Sequence, residues 1–548
     1  LSAKDESLWL ERIQKDTQLW SCSPFTTLPP LAQIVAWLIL SHHRLPEYLG
    51  KNIPDLSGSE TWLTNQLNVT WNALNHTSSD WSEADFQRAW TFPAGLPLRS
   101  HTWQDKARQL AKRAANAVSL GLFGKMDQAF TLHMARLALM LADHHYSSQE
   151  PVAAWQDADY SAWANTHRQT GHLKQKLDEH IAGVSHHALL LGRSLPLLRC
   201  QLPAITRHKG FRERAKDERY RWQNKAWDVS ESLSERARKQ GFFGINMAST
   251  GCGKTFANAR IMYALAGEDE GCRFTVALGL RTLTLQTGEA LRRRLGLGED
   301  DLAVIVGSRA VRELHQEAPE PEPDESSASE EAFFESHQYV HYDGVPNNGP
   351  LRHWLEKDTT LRQLVDAPVL VTTLDHLIPA TEGVRGGKQI APMLRLLTSD
   401  LVLDEPDDFD IADQHALCRL VNWAGMLGSR VLLSSATLPP AFVLALHTAY
   451  CSGRKAWQQA CGEPGMPLEV CCAWFDEDIA QEKVCTTAEE FYHAQCAFAE
   501  SRAKRLAKKN VLRISDIVNV TTSSSQSSEV ISGLANTLHA EILKLHKV

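Results

Sequence analysis

Apolar residues recur along this chain in two rhythms. In the first, Leu31, Ile34, Val35 and Leu38 fall three and four residues apart, and Pro46 follows as a stop. Phe130, Met134, Leu137 and Leu141 repeat the spacing. Such spacing lines one face of an α-helix. It predicts a helical region over residues 1–199, rich in tryptophan (Trp9, Trp20, Trp37, Trp62, Trp71, Trp81, Trp90, Trp103) used as core and interface aromatics. In the second rhythm, short apolar runs alternate with helical stretches: Phe274–Leu278, Val369–Thr373, Leu401–Leu403 and Val431–Ser434. Buried parallel strands joined by crossover helices read this way, so 200–450 is expected to hold an α/β lobe. An acidic, Pro- and Ser-rich insertion, Glu317–Glu331, interrupts it at 317–331. Residues 451–548 are mixed and are expected to extend the lobe and link it onward. They include a helical run, Thr487–Asn510, that ends basic (Arg502, Lys504, Arg505, Lys508, Lys509), and a polar tract, Thr521–Ser528. Cations at a helix C-terminus complement its dipole whether or not they also touch DNA.

Composition sharpens this picture in three places. At roughly 100–200 residues per domain, 548 residues imply two to four domains. A net charge of −8 and a pI of 6.3 exclude whole-surface attraction to nucleic acid but leave room for a local basic groove. The longest apolar run, Ile34–Leu40, is far short of the roughly 18–20 residues that span a bilayer, so no membrane is expected. The eleven cysteines are scattered and form no CxxC pair, which fits a reducing, cytoplasmic setting. The chain opens on Leu1 rather than Met and is expected to be a piece of something longer.

The chemistry concentrates in the α/β region. Ala248-Ser249-Thr250-Gly251-Cys252-Gly253-Lys254-Thr255 has the form of a phosphate loop. Its glycines let backbone N–H groups approach phosphates, Lys254 supplies charge for the β- and γ-phosphates, and Thr255 can ligate Mg²⁺. Cys252 reads as a small filler within it. The apolar strand Leu401–Leu403 runs directly into Asp404-Glu405-Pro406-Asp407. There Asp404 can hold Mg²⁺ and Glu405 can deprotonate an attacking water. Thirty residues on, Val431–Ser434 ends in Ser435-Ala436-Thr437, hydroxyls placed to couple an ATP site to a nucleic-acid groove.

These three motifs, in this order, resemble the first lobe of superfamily-two helicases, a RecA-like fold. The resemblance implies ATP and Mg²⁺ as cofactors. It implies nucleic-acid contact by Arg281, Thr282 and Gln286 after one strand, and by Thr373 and Asp375 within Val371-Thr372-Thr373-Leu374-Asp375. It also makes Gln223, upstream of the loop, a candidate reader of adenine.

In the helical region, Ser41-His42-His43-Arg44-Leu45-Pro46 ends one apolar helix and Leu141-Ala142-Asp143 lies near the end of another. Imidazoles and a carboxylate suit a catalytic transition metal, although satisfied helix-end histidines are also common. Adjacent residues on a helix point about 100° apart, so the two histidines would more naturally serve two ions. With the helicase motifs downstream, the pattern resembles the helicase–nuclease of type I CRISPR systems, most closely the I-F branch. That family carries an all-α HD-type nuclease domain before its motor. The resemblance implies that His42, His43 and Asp143 hold a divalent transition metal (Mn, Fe, Co or Ni). It implies a protein that translocates on and cleaves single-stranded DNA in CRISPR interference, recruited by a crRNA-guided surveillance complex and linked, in the I-F branch, to the adaptation integrase. The family's His-Asp pair is absent here, and no arginine-bearing motif of a second lobe follows Thr437. Both are therefore expected beyond the ends of this chain. His180 falls after Asp143 rather than before His42 and reads as structural. The rival reading is a helicase whose helical region is a docking module without nuclease activity.

Overall fold

The computed structural model describes residues 6–8, 11, 28–43, 45, 82, 84, 88, 91–121, 126–167, 170–306, 359–382, 386–409, 413–509, 517–522 and 525–546. The insertion expected at 317–331, together with Arg44, Pro46, Trp9, Trp20, Trp62, Trp71, Trp81 and Trp90, lies outside the described residues. The chain divides into two compact units, Leu1–Gln495 and Cys496–Val548.

In the first unit, the helical periodicity emerges as Pro30–Ser41, His101–Ser119, Ala129–Ser148 and Leu177–Ser194. Ser100 caps the second of these, its Oγ accepting from Trp103 N at 3.2 Å and donating to the buried Asp178 at 2.8 Å. A cap of this kind contributes about 1 kcal/mol. Ala129–Ser148 packs against Leu177–Ser194 because Gly183 has no side chain: a Cβ there would lie 2.2 Å from the Tyr146 ring. The resemblance implies an all-α region, and the structure corrects this. A small antiparallel hairpin, β1 (Trp163–Thr166) and β2 (Leu173–Lys176), interrupts it. Four-residue polar strands are too short to carry a period-two signal.

The α/β lobe is one eight-stranded sheet. Its strands are β3 (Phe242–Asn246), β4 (Phe274–Leu278), β5 (Leu302–Ile305), β6 (Val369–Thr373), β7 (Asp400–Asp404), β8 (Val431–Ser434), β9 (Cys471–Phe475) and β10 (Ala480–Val484). They lie in the order β10-β9-β3-β8-β7-β4-β6-β5. Every pairing is parallel except the β10–β9 edge. β3, β4, β6, β7 and β9 are buried at every position, which is why they read as continuous apolar runs. The boundary expected at 450 falls inside the helix Pro440–Cys461, and the strand after that helix, β9, pairs with β3.

The helical region docks on this lobe through a buried arginine and a half-buried one. Arg136, 1% exposed, donates Nε to Ser41 O at 2.8 Å and Nη1 to Gln389 of the lobe helix Gly386–Thr398. Arg199 reaches the fully buried Asp400 at 3.0 Å, where Arg430 also pairs with it at 2.7 Å. The basic run near 502–509 ends the helix Ala488–Leu506, and the polar tract gives way to a helix at Ser527–Leu545. Among the described residues, no helix is long and apolar enough to cross a membrane.

Candidate functional site

Parallel strands deliver their carboxyl ends to one edge of a sheet, the usual place for ligands in α/β folds. Here β3, β7 and β8 are in register so that Asn246 faces Ser434 and Ser434 faces Asp404. Asn246 fixes the start of the phosphate loop: its Oδ1 accepts from Ala248 N at 3.2 Å, and its Nδ2 donates to Asn258 at 2.7 Å. The loop then turns through Gly251 (φ +82°) and Gly253 (φ +81°), a conformation costly for any residue with a Cβ. A Cβ at Gly253 would also meet Gln223 Nε2 at 2.8 Å. The helix Lys254–Glu270 begins at once, so its unpaired N–H groups and positive dipole end face the loop. Cys252 packs against the lobe core, as a filler would.

Opposite the loop, Lys254 Nζ lies 2.6 Å from Glu405 Oε1. Glu405 is held at φ +50°, and its N–H donates to Ser434 O at 2.7 Å. A left-handed non-glycine residue costs about 1–3 kcal/mol and persists only where its surroundings enforce it. Asp404 is 7% exposed, and its Oδ1 has no hydrogen-bond partner. Burial pushes its carboxyl up to about 6, against the pull of Ser434 and Lys254. A buried, unsatisfied carboxylate oxygen facing a phosphate loop fits a cation. Thr437 Oγ1 donates to Asp407 at 2.6 Å, and Ser435 N donates to Asn246 O at 3.1 Å, so the β8 end is tied to both neighbours.

Gln223 stands behind the loop, 3% exposed, its Nε2 donating to Gly253 O at 3.3 Å while its Oε1 is buried without a partner. Trp222 Nε1 supports the same loop at Cys252 O. Sequence reasoning missed Glu477, which accepts from Ser249 N at 3.2 Å and Ser249 Oγ at 2.7 Å. The signal was there: Cys471–Phe475 is an apolar strand running into Asp476-Glu477, just as Leu401–Leu403 runs into Asp404-Glu405. The candidate nucleic-acid residues divide. Arg281 opens the helix Arg281–Leu295 after β4, where Thr282 and Gln286 are exposed one turn apart. Asp375 is exposed as well, but Thr373 is 1% exposed and does not reach the surface.

The helical region brings His42, His43 and Asp143 together, with one donor atom from each within 4.8 Å of the others. The two histidines converge because the helix stops at Ser41 and His43 lies beyond it; their ring centroids are 3.9 Å apart. His42 Nδ1 lies 2.7 Å from Ile39 O, which leaves Nε2 for a ligand role. Burial lowers the His43 imidazole, with His42 assisting and Asp143 opposing. Burial would raise the Asp143 carboxyl, but a hydrogen bond with His180 and the charges of His180, His43 and His144 outweigh it and hold the group below the usual carboxylate range. Three such donors at this spacing fit one divalent ion. His180, read from the sequence as merely structural, lies 3.2 Å from Asp143 Oδ1.

Fold and site together define an α/β protein with a phosphate-loop motif and an appended histidine–aspartate cluster that could hold a metal ion. No family model matches the chain. Over its whole length it is similar to the CRISPR-associated nuclease/helicase Cas3 of subtype I-F/YPEST. It is 55% identical over 560 aligned residues to that of Pectobacterium atrosepticum, covering 100% of this chain and 51% of that protein. It is 44% identical over 544 residues to that of Pseudomonas aeruginosa, covering 98% and 50%. The chain thus spans about half the length of the curated relatives it matches. Among solved structures, the T. fusca Cas3-ADP crystal structure aligns at a TM-score of 0.41 and 17% identity, over 83% of this chain and 42% of that one.

Proposed function

We propose that this chain is the nuclease-side and first-motor-lobe portion of an ATP-dependent single-stranded DNA helicase and metal-dependent nuclease acting in CRISPR interference. In this reading an HD-type helical domain precedes a RecA-like lobe. The carrying observation is the pairing of Lys254 with Glu405 beside the orphaned Asp404, in one compact unit with the His42–His43–Asp143 cluster. Similarity to nuclease/helicases over the full chain supports assigning one activity to each site.

At the motor site, Ser249–Thr255 would hold the nucleotide phosphates and Thr255 and Asp404 the Mg²⁺, which supplies charge neutralisation during phosphoryl transfer. Lys254 Nζ moves from Glu405 to phosphate when nucleotide enters. Glu405 Oε1, so released, accepts the proton of the attacking water. The free Gln223 Oε1 accepts from the exocyclic amine of adenine. The Thr437–Asp407 hydrogen bond transmits the state of β7 to β8, and Arg281, Thr282, Gln286 and Asp375 line the single-stranded DNA path. At the nuclease site, His42, His43 and Asp143 would hold a divalent transition metal, which supplies Lewis acidity toward a phosphodiester. The partners in this reading are a crRNA-guided surveillance complex and, in the I-F setting, the adaptation integrase, all in the cytoplasm.

The test is degradation of single-stranded DNA by the full-length protein, followed with and without ATP and with a transition-metal chelator in Mg²⁺-containing buffer. Progressive degradation should need both ATP and the chelatable metal. Cleavage that survives the chelator, or its absence with every metal supplied, would contradict the nuclease assignment and favour a docking role for the helical region.

A further inference from the structure

The β1–β2 hairpin has no part in the chemistry described so far, yet its contacts lead to the metal cluster. Gln175 of β2 is fully buried. Its Nε2 donates to Tyr146 O at 2.9 Å and to Gln149 O at 2.8 Å, the backbone that closes the helix bearing Asp143. Its Oε1 accepts from Asn165 Nδ2 of β1 at 2.9 Å, and its own N–H donates to Asn165 Oδ1 at 3.0 Å. The two backbone carbonyls take both amide protons, so the orientation of this side chain is fixed: Oε1 must face the other way. There it meets His180 Nδ1 at 3.2 Å. The opposite ring nitrogen of His180 lies 3.2 Å from Asp143 Oδ1.

We propose that His180 is a positioning residue of the metal centre: it binds Asp143 Oδ1 and thereby leaves Oδ2 as the oxygen offered to the ion. The inference rests on reading His42, His43 and Asp143 as metal ligands. The imidazole stands between two acceptor oxygens, and a neutral ring has one N–H to give; the charged carboxylate of Asp143 is the stronger acceptor of the two. Gln175 of the hairpin stands 3.2 Å from the far side of the ring and limits its movement away from Asp143. Asp143 starts from the same helix that Gln175 grips, so the contacts form a closed circuit and the carboxylate has little freedom to rotate. A carboxylate with one oxygen engaged presents a single, aimed lone pair, and such outer-shell partners typically carry about 10- to 100-fold in metal affinity.

Manganese binding to the full-length protein tests this. Titration calorimetry would compare the parent with Asp143→Ala, His180→Ala and His180→Gln, and electron spin-echo spectroscopy would count imidazole nitrogens on the bound Mn²⁺. Asp143→Ala should abolish the tight site; if it binds as the parent does, the ligand reading itself fails. With that reading intact, His180→Ala should weaken Mn²⁺ binding about 10- to 100-fold. His180→Gln, whose amide N–H can replace the imidazole donor, should bind more like the parent than like His180→Ala. The nitrogen count should be unchanged in both, and their thermal midpoints close to the parent's. Parent-like affinity in His180→Ala would overturn the proposal. So would a glutamine variant as weak as the alanine one, or the loss of one imidazole nitrogen, which would make His180 a ligand.

Discussion

Glu405 carries two burdens at once: a left-handed backbone and the only carboxylate contact described for Lys254. Both follow from the abrupt end of β7, where the chain turns around Pro406 while Glu405 N stays bound to Ser434 O. Glu405→Gln keeps the side-chain shape but removes the proton acceptor. ATP affinity should hold while turnover falls about 10²- to 10⁴-fold, measured by nucleotide binding and phosphate release on the same preparation. An equal loss of binding would make Glu405 a structural partner of Lys254 instead. The Asp404-Glu405 pair was readable in the sequence because an apolar strand seldom runs straight into two acids by accident. Glu477 follows the same rule after β9 and was passed over because it belongs to no familiar motif order. The burial of Thr373 was not readable, since which face of a strand end turns inward depends on the helices laid over it.

At the scale of elements, β4, β6 and β8 were legible to the residue, and β7 to within one residue at each end, because fully buried parallel strands are unbroken apolar runs. β10 was illegible for the opposite reason: Ala480–Val484 is a polar edge strand with its middle exposed. The joins between elements were also hidden. Arg136 meets Gln389 253 residues away, a contact no local pattern can announce. The packing under β9 makes a pH-dependent prediction. His447 is 2% exposed and stacked on Phe491 at 3.7 Å, with Cys451 Sγ and Cys472 Sγ at 3.4 and 3.7 Å from Nε2. Burial pushes its imidazole down to about 4. An unfolded histidine titrates near 6.5, so between those values the unfolded chain binds the extra proton and stability falls as pH falls. The loss should reach on the order of 3 kcal/mol by pH 4. Urea unfolding across pH 4–7 should show a shallower slope in His447→Phe than in the parent; identical slopes would contradict the assignment.

For the molecule as a whole, the phosphate-loop motif and the histidine–aspartate cluster share one compact unit. The phosphate loop and its acids sit at the carboxyl edge of the sheet. The histidine–aspartate cluster lies near the ends of two helices; Arg136 on one of them reaches Gln389 of a lobe helix, and Arg199 of the same helical region reaches Asp400 of β7. The sequence names both groups of residues, but only the fold shows that Ser41, the residue before the histidines, is itself held by the arginine that contacts the lobe. The most direct test measures ATP hydrolysis and metal-dependent nicking of naked single-stranded DNA on the same preparations of full-length Lys254→Ala and Asp143→Ala. The account predicts that Lys254→Ala loses ATP hydrolysis and still nicks, whereas Asp143→Ala loses nicking and still hydrolyses ATP. Equal loss of both activities in either correctly folded variant would contradict it.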